Sequence, residues 1–439
     1  MNNNRKKTPI NQQAGQQVRE QAITRLAKVL NGAPFIPFNE AIISDGRDRA
    51  LANKLITTAL RRHGHINYIF ERQLKKGMPA RSANFESILR IALAELLFLP
   101  KQAEHSSIFL AVEIAKKNNK TRHLAKLVNG VLRTAQREAE KYKNLPNHLL
   151  FPKWLIEKWQ KSYGAEIIED FAQALLEGAP LDLVLREEDE KLISELNGQK
   201  IFQDVVRIYQ RDKAVDKMAG YDEGSWWVQD VAASLPARLM ALKKNNSVLD
   251  MCVAPGGKLA QLLKQDYQVT GLDIDKERLK RVEGNLERLK YSAKLELSDA
   301  RTYSPKNLFD GILLDAPCSA TGTFRRHPEL IWQRKQHDIK QRVKLQRELI
   351  ANAIKCLKPN GVLIFITCSL EIEEGEQQAS WISKTYKELI ELPIKKEEIS
   401  DFGHFISKDG YLRTLPIAKI TDNISGSMDG FFVARFKRI

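Results

Sequence analysis

The stretch "SVLDMCVAPGGK", residues 247–258, decides the fold of the larger part of this chain. Ser247 to Met251 reads as a buried strand, Ala254-Pro255-Gly256-Gly257 breaks it, and "KLAQLLKQ" continues as a helix. Moving outward, the texture repeats. "QVTGLDID" reads as a second strand and "KERLKRVEGNLERL" as an amphipathic helix, while "LFDGILLDAP" and "GVLIFITCS" supply two further strands. Hydrophobic, β-branched strands alternating with helices predict a mostly parallel sheet covered on both faces. In such a sheet ligands sit outside the carboxyl ends of the strands, where a glycine-rich turn lets backbone approach them. The turn has neither GxGxxG nor GxxxxGK[ST], so it is not a phosphate loop. Asp273, 17 residues after Gly256, ends the second strand, where a carboxylate can accept both hydroxyls of a ribose. A nucleoside cofactor without a pyrophosphate fits, and S-adenosyl-L-methionine is the candidate. The competing reading is a structural turn with a helix-capping Asp.

Two more strand ends carry chemistry. In "LLDAPCSATGTFRRHPEL", residues 313–330, Asp315 ends a strand, Pro317 stiffens the turn and Cys318 projects just beyond it. Arg325, Arg326 and His327 follow, positive charge where a nucleic-acid backbone could run. Asp299, in "LSDAR", ends the preceding strand and either meets an adenine amino group or caps its own turn. In "VLIFITCSLEIEEGEQ", residues 362–377, the strand runs into Thr367-Cys368-Ser369 and then turns acidic. Alone, Cys368 is a small hydrophobe at a strand end. Beside Cys318 it becomes one of two thiols converging on a single crevice. Cys252 sits inside the glycine turn, and Cys356, in the helical "LIANAIKCLKP", is a core thiol.

The chain has 439 residues, enough for several domains, with ordinary apolar and charged content. No apolar run is long enough for a membrane span, and "MNNNRKKTPINQQ" lacks the apolar core of a secretory signal. Four cysteines without CxxC spacing predict neither a disulfide framework nor a zinc site, so a cytoplasmic, reducing location without metal is expected. The net charge of +16 is segregated: residues 1–145 hold 26 Lys+Arg against 11 Asp+Glu, leaving 44 against 43 for the rest. That asymmetry points to an amino-terminal module that holds nucleic-acid phosphates.

Residues 16–143 read as helices. "QQVREQAITRLAKVLNG" stops at Gly32, "DRALANKLITTALRRHG" ends in basic residues and Gly64, and "FESILRIALAELLFL" is apolar on most faces and bounded by Pro100. "SSIFLAVEIAKKNN" and "HLAKLVNGVLRTAQREAEKY" complete the bundle. Pro146 and Pro152 mark a boundary, after which residues 146–240 read as a small α+β subdomain with a strand in "APLDLVLRE". "GSWWVQDVAASLPARLM" reads as a loop feeding a helix, with Trp226 and Trp227 either packed in a core or stacked on bases.

These motifs together resemble a known family. Residues 147–439 are similar to the RNA cytosine-5 methyltransferases, and residues 16–143 loosely resemble the RNA-binding helical fold of the antitermination factor NusB. The resemblance implies a multidomain chain: a NusB-like all-α bundle (1–145), the α+β subdomain (146–240) and an α/β Rossmann-like class I methyltransferase domain (241–439). It implies S-adenosyl-L-methionine on Cys252, Val253, Ala254, Pro255, Gly256, Gly257, Lys258, Asp273, Asp299 and Asp315. It also implies a monomer with 16S ribosomal RNA as partner. Cys368 would be the nucleophile that adds to C6 of cytosine, Asp315 the partner of N3, and Cys318 the residue assisting release. Strand-end logic alone does not order the two thiols. DNA cytosine-5 methyltransferases use the Cys of a Pro-Cys pair, which points to Cys318 instead. The family usually has a Pro near Glu373 that is missing here, and only the local loop shape is affected. Rival readings are a non-catalytic assembly factor, a transfer-RNA or DNA enzyme, and adenine N6 methylation, which needs no thiols.

Overall fold

The structure, a computed structural model, describes residues 10–80, 82–99, 104–210, 213–417, 419–421 and 424–439. The amino-terminal nine residues and Pro100, both used above, lie outside these. The chain divides into two compact units, residues 1–157 with 327–333, and residues 158–326 with 334–439.

The first unit is helical: α1 (Ile10–Leu30), α2 (Gly46–Arg61), α3 (His63–Gln73), α4 (Phe85–Phe98), α5 (Glu104–Lys117), α6 (Ala125–Arg137) and α7 (Ala139–Lys143). As its composition predicts, α4 is buried on nearly every face and packs against α1, α2, α5 and α6. Gly32 ends α1 with φ +98°. Gly64 is not the stop that the sequence suggests. Arg62 closes α2, and Gly64 lies inside α3, where a Cβ would stand 1.8 Å from the carbonyl oxygen of Leu149. Helix α2 does end in its basic residues as expected, but the glycine serves close approach in the first turn of α3 and does not cap α2. The distant segment 327–333 is part of this unit: Trp332 stacks on His63 at 4.6 Å, Gln333 donates to the Val29 and Ala33 carbonyls, and Glu329 accepts from the Phe35 N–H.

Helix α8 (Lys153–Tyr163) leads out of the first unit. The second begins with α9 (Ile167–Glu177), β1 (Leu181–Leu185), α10 (Glu190–Glu195), β2 (Gln199–Phe202), β3 (Val205–Ile208) and β4 (Trp226–Val228), whose strands order as β2-β3-β1-β4. Trp226 and Trp227 form a strand rather than a loop, because they pair with Leu185 and Val184 of β1. Both rings are buried, which removes them from base stacking and assigns them to packing.

After α11 (Val231–Arg238) come β5 (Ser247–Met251), α12 (Gly257–Lys264), β6 (Gln268–Asp273), α13 (Lys276–Arg288), β7 (Lys294–Leu297) and β8 (Phe309–Asp315). Then follow α14 (Glu329–Gln333, in the first unit), α15 (Gln336–Cys356), β9 (Leu357–Thr367), α16 (Glu376–Thr385), β10 (Leu389–Glu391), β11 (Leu412–Arg413), the small β12–β13 pair (Lys419–Thr421, Ile424–Ser425) and β14 (Phe432–Arg438). The main sheet runs β10-β14-β9-β8-β5-β6-β7, with β5 to β9 mutually parallel and β14 antiparallel to β9. Successive residues alternate between two cores. Leu313, Val362, Ile364 and Ile366 belong to one, Ile312, Leu314, Leu363 and Phe365 to the other. Both faces are covered, so the strands need no polar positions. The first core also contains Val184, Phe202 and Trp227, so the small sheet and the large one share a hydrophobic interior. Among the described residues no helix is long and apolar enough to cross a membrane.

Candidate active site

Parallel register brings the carboxyl ends of β6, β5, β8 and β9 into a row: Met251 pairs with Leu272 and Leu314, and Asp315 with Ile366. The residues just past those pairs therefore emerge together. Cys252, Ala254, Asp273, Asp299, Asp315, Cys318 and Cys368 all line one cavity of about 430 Å³, with apolar surface from Leu272, Ile274, Ala300, Leu345 and Leu349. Val253 does not line it and lies in the hydrophobic core.

The glycine turn is built from backbone. Gly256 caps α12 in the left-handed region at φ +100°, with a Cβ position 3.2 Å from Val282. A side chain there would be strained and crowded. The turn is pinned to β6 by Asp273, whose buried carboxylate accepts from the N–H of Ala254 (3.3 Å) and of Asp275 (3.0 Å). Asp299 accepts its own turn's Arg301 N–H and is gripped by the Arg301 guanidinium (2.6–3.0 Å), which holds it below the usual carboxylate range. It thus caps locally while lining the same cavity as Asp273.

The residues fit S-adenosylmethionine. The cavity is of the size that encloses a small ligand, it has an apolar wall for a flat base, and acids stand at the ends of the second and third strands. Asp273 would take the ribose hydroxyls, Asp299 the adenine side, and Cys252 and Ala254 the amino-acid portion, while Pro255, Gly256, Gly257 and Lys258 shape the turn without lining the cavity.

The reactive end lies across β5. Lys258 donates to Asp315 Oδ2 at 2.7 Å. Burial alone would depress its ammonium, but the Asp315 carboxylate outweighs that and lifts it above its ordinary value. The ammonium is also close enough to Cys368 for their charges to interact. Asp250, at the end of β5, is pushed well above the carboxylate range by burial, and its Oδ2 has no hydrogen-bond partner among the described residues. Cys318 and Cys368 touch, Sγ to Sγ at 3.4 Å. Contact with Cys368 and burial push the Cys318 thiol well up, so it stays protonated at neutral pH. Burial, reinforced by Asp315 and Asp273, pushes Cys252 up to about 12, which makes it a poor nucleophile. Cys356 is buried among α15 and sheet residues, as a core thiol should be.

Of the basic run after Cys318, Arg325 does not present charge to a nucleic acid as its sequence suggests, whereas Arg326 is exposed and His327 half-buried. Arg325 is fully buried, ion-paired with Asp230 and with Asp429 at 3.0 Å, and donates to the Ser427 carbonyl at 2.8 Å. Arg326 is bound to the other oxygen of Asp429. Their charge is spent on locking the loop to the "MDG" segment. The acidic run after Cys368 is likewise not a solvated loop. Glu371 and Glu374 are buried, Glu371 accepting from Trp159 Nε1 at 3.1 Å and Glu374 from Ser319, Ser369 and Gln346. Lys258 as partner of Asp315, and Glu374, are the site residues whose part sequence reasoning missed. The hydroxyls at Ser319 and Ser369, one after each cysteine, were the available signal. Among the described residues no group of three or more His, Cys, Asp or Glu could hold a metal ion.

A parallel sheet with a glycine turn after its first strand, an acid ending its second, and an antiparallel strand inserted beside β9 defines a class I S-adenosylmethionine-dependent methyltransferase. Comparison with known proteins sharpens this. Residues 237–437 match the family described as 16S rRNA methyltransferase RsmB/F, and residues 16–137 match the NusB family. A ribosomal RNA small subunit methyltransferase B from Shewanella oneidensis is 30% identical over 426 residues, 93% of this chain and 95% of that relative. Its counterpart from Proteus mirabilis is 32% identical over 82% of this chain and 90% of that one. The crystal structure of PH0851 shares the fold, with a TM-score of 0.77 at 22% identity over 96% of this chain and 98% of that one. The chain belongs to the ribosomal RNA small subunit methyltransferase B family.

Proposed function

We propose that this protein methylates carbon 5 of a cytosine in 16S ribosomal RNA through a covalent adduct between Cys368 and C6 of the base. The observation that carries the reading is the contact of two thiols, 3.4 Å apart, in the cavity that also holds Asp273, Asp299 and Asp315. Methylation of an exocyclic nitrogen or a ribose hydroxyl has no use for such a pair. The description of the matched family supplies the 16S ribosomal RNA.

Carbon 5 of cytosine is a poor nucleophile. A thiolate adding to C6 makes C5 enamine-like, and a carboxyl group at N3 supports the electron density that moves there. Bound S-adenosylmethionine supplies an electrophilic methyl group. Cys368 forms the C6–S bond and Asp315, held by Lys258, faces N3. After methylation a water molecule takes the C5 proton, its C–H pair re-forms the C5–C6 double bond, the C6–S pair leaves with the Cys368 sulfur, and the aromatic ring returns. Cys318, kept protonated, is suited to hold a proton at the Cys368 sulfur as that thiolate departs. The match of Thr367-Cys368-Ser369 to the family's motif favours Cys368 over Cys318 as nucleophile. The target base must be unstacked to reach the cavity. The helical unit, which carries the excess positive charge, would hold the surrounding RNA by its phosphates.

Bisulfite mapping of ribosomal RNA from cells with and without the gene tests the reaction: one 16S cytosine should lose its protection when the gene is absent. Loss of no such position would refute it.

A further inference from the structure

Glu374 lies in the run that the sequence presents as a solvated acidic loop, yet it is fully buried. Its carboxylate accepts the Ser319 N–H at 3.0 Å, the Ser369 hydroxyl at 2.7 Å, the Gln346 side-chain amide at 3.0 Å and the Ser319 hydroxyl. Ser319 follows Cys318 and Ser369 follows Cys368. The two hydroxyl oxygens also stand 2.9 Å apart. The residues before the cysteines are tied to the same group: Gln346 donates to the Pro317 carbonyl at 3.1 Å, and Thr367 donates to the Glu374 carbonyl at 3.0 Å. Gln346 is itself oriented by Gln378, whose amide donates to Gln346 Oε1 at 2.9 Å. Further bonds join the loops, Gly322 N–H to the Cys368 carbonyl (3.0 Å) and Leu370 N–H to the Thr321 hydroxyl (3.0 Å). Neither strand fixes where its cysteine loop goes once pairing stops. A single buried carboxylate gathers both.

We propose that Glu374 is a positioning residue that sets the separation of the two thiols, by holding the residue after each cysteine on one carboxylate. Bonds to a buried, charged acceptor are short and directional, so they resist the small displacements that separate reactive groups. A neutral amide could keep much of this network, since its –NH2 can donate to the two hydroxyls, whereas an aliphatic side chain offers neither loop an acceptor. The catalytic meaning of this clamp rests on the two-thiol reading above, but the clamp itself is a statement about distance and can be tested without turnover.

The test uses the full-length protein and dibromobimane, which fluoresces when both of its arms have reacted with neighbouring thiols, with bridged peptides identified by mass. Glu374→Leu, which removes both acceptor oxygens, should bridge Cys318 to Cys368 at least about tenfold more slowly than wild type, since displacements of an ångström are enough to cost factors of that order. It should also lose kcat while its affinity for S-adenosylhomocysteine stays within about twofold, because Asp273 and Asp299 lie on other strands. A folded Glu374→Leu protein that bridges at the wild-type rate overturns the proposal. If that variant does not fold, Ser369→Ala, which removes one hydroxyl, decides by the same criterion. Slow bridging with undiminished methyl transfer upholds the clamp and overturns the covalent reading instead.

Discussion

At the amino ends of β5, β8 and β9, Asp310 accepts hydrogen bonds from the Ser247 N–H (2.9 Å) and hydroxyl (2.7 Å) and from Lys358 (2.9 Å), so that every group there is matched. At the carboxyl ends of the same strands, Asp250 keeps a buried oxygen without a hydrogen-bond partner among the described residues, Asp315 faces a cavity with one oxygen held by Lys258, and two thiols stand in contact. One end is arranged to be stable and the other to react. Polar groups at a sheet end are fully matched where their work is structural, and are left incompletely matched where a substrate will complete them.

The largest test of that contrast is at the reactive end. Cys368→Ala should lower methyl transfer by more than about 1,000-fold while leaving the melting temperature near wild type. Cys318→Ala should accumulate an RNA–protein adduct visible on a denaturing gel. If the adduct instead accumulates in Cys368→Ala, the two thiols exchange roles. Next comes the buried Arg325, beside the reactive end yet matched like the other. Arg325→Met leaves Asp230 and Asp429 facing each other in the interior and should cost about 3 kcal/mol or more in denaturant unfolding. A loss below about 1 kcal/mol would show the triad to be dispensable. At the cofactor acid, Asp273→Asn should weaken S-adenosylhomocysteine binding by about tenfold in calorimetry, the worth of one charge-assisted hydrogen bond.

The smallest effect belongs to the amino end. Burial acts to raise Asp310, but Lys358 and Ser247 outweigh it and hold the group at about 2. Its contribution is therefore present above the unfolded value near 4 and fades as pH falls towards 2. Asp310→Asn should cost less than about 1 kcal/mol at pH 7 and still less at pH 3, with methyl transfer unchanged. An activity loss would mean that the two ends are not separable.

What the sequence made legible was local. Strand residues apolar on both faces, an acid closing each strand, and a proline–cysteine or threonine–cysteine pair beyond it are all read within ten residues. The partners were not legible, because they come from far along the chain. Lys258 and Asp315 are 57 residues apart, Glu374 and Ser319 are 55, and Arg325 reaches Asp230 and Asp429 across 95 and 104. A charged residue in a linear reading carries no mark of whether its counter-charge will be folded against it. Arg325 and Glu374 therefore read as solvated groups. Gly64 and Trp226 were misread for the same reason, since Leu149 and β1 decide their conformations.

The segment 327–333 belongs to the helical unit, yet it is made long after the rest of that unit. When residue 157 leaves the ribosome, His63 still lacks the Trp332 ring and the Val29 and Ala33 carbonyls still lack Gln333. At usual synthesis speeds the helices wait roughly ten to thirty seconds for those seven residues. Translation thus imposes an order of assembly. Those contacts cannot form until the cysteine-bearing loop that precedes residue 327 has also been made.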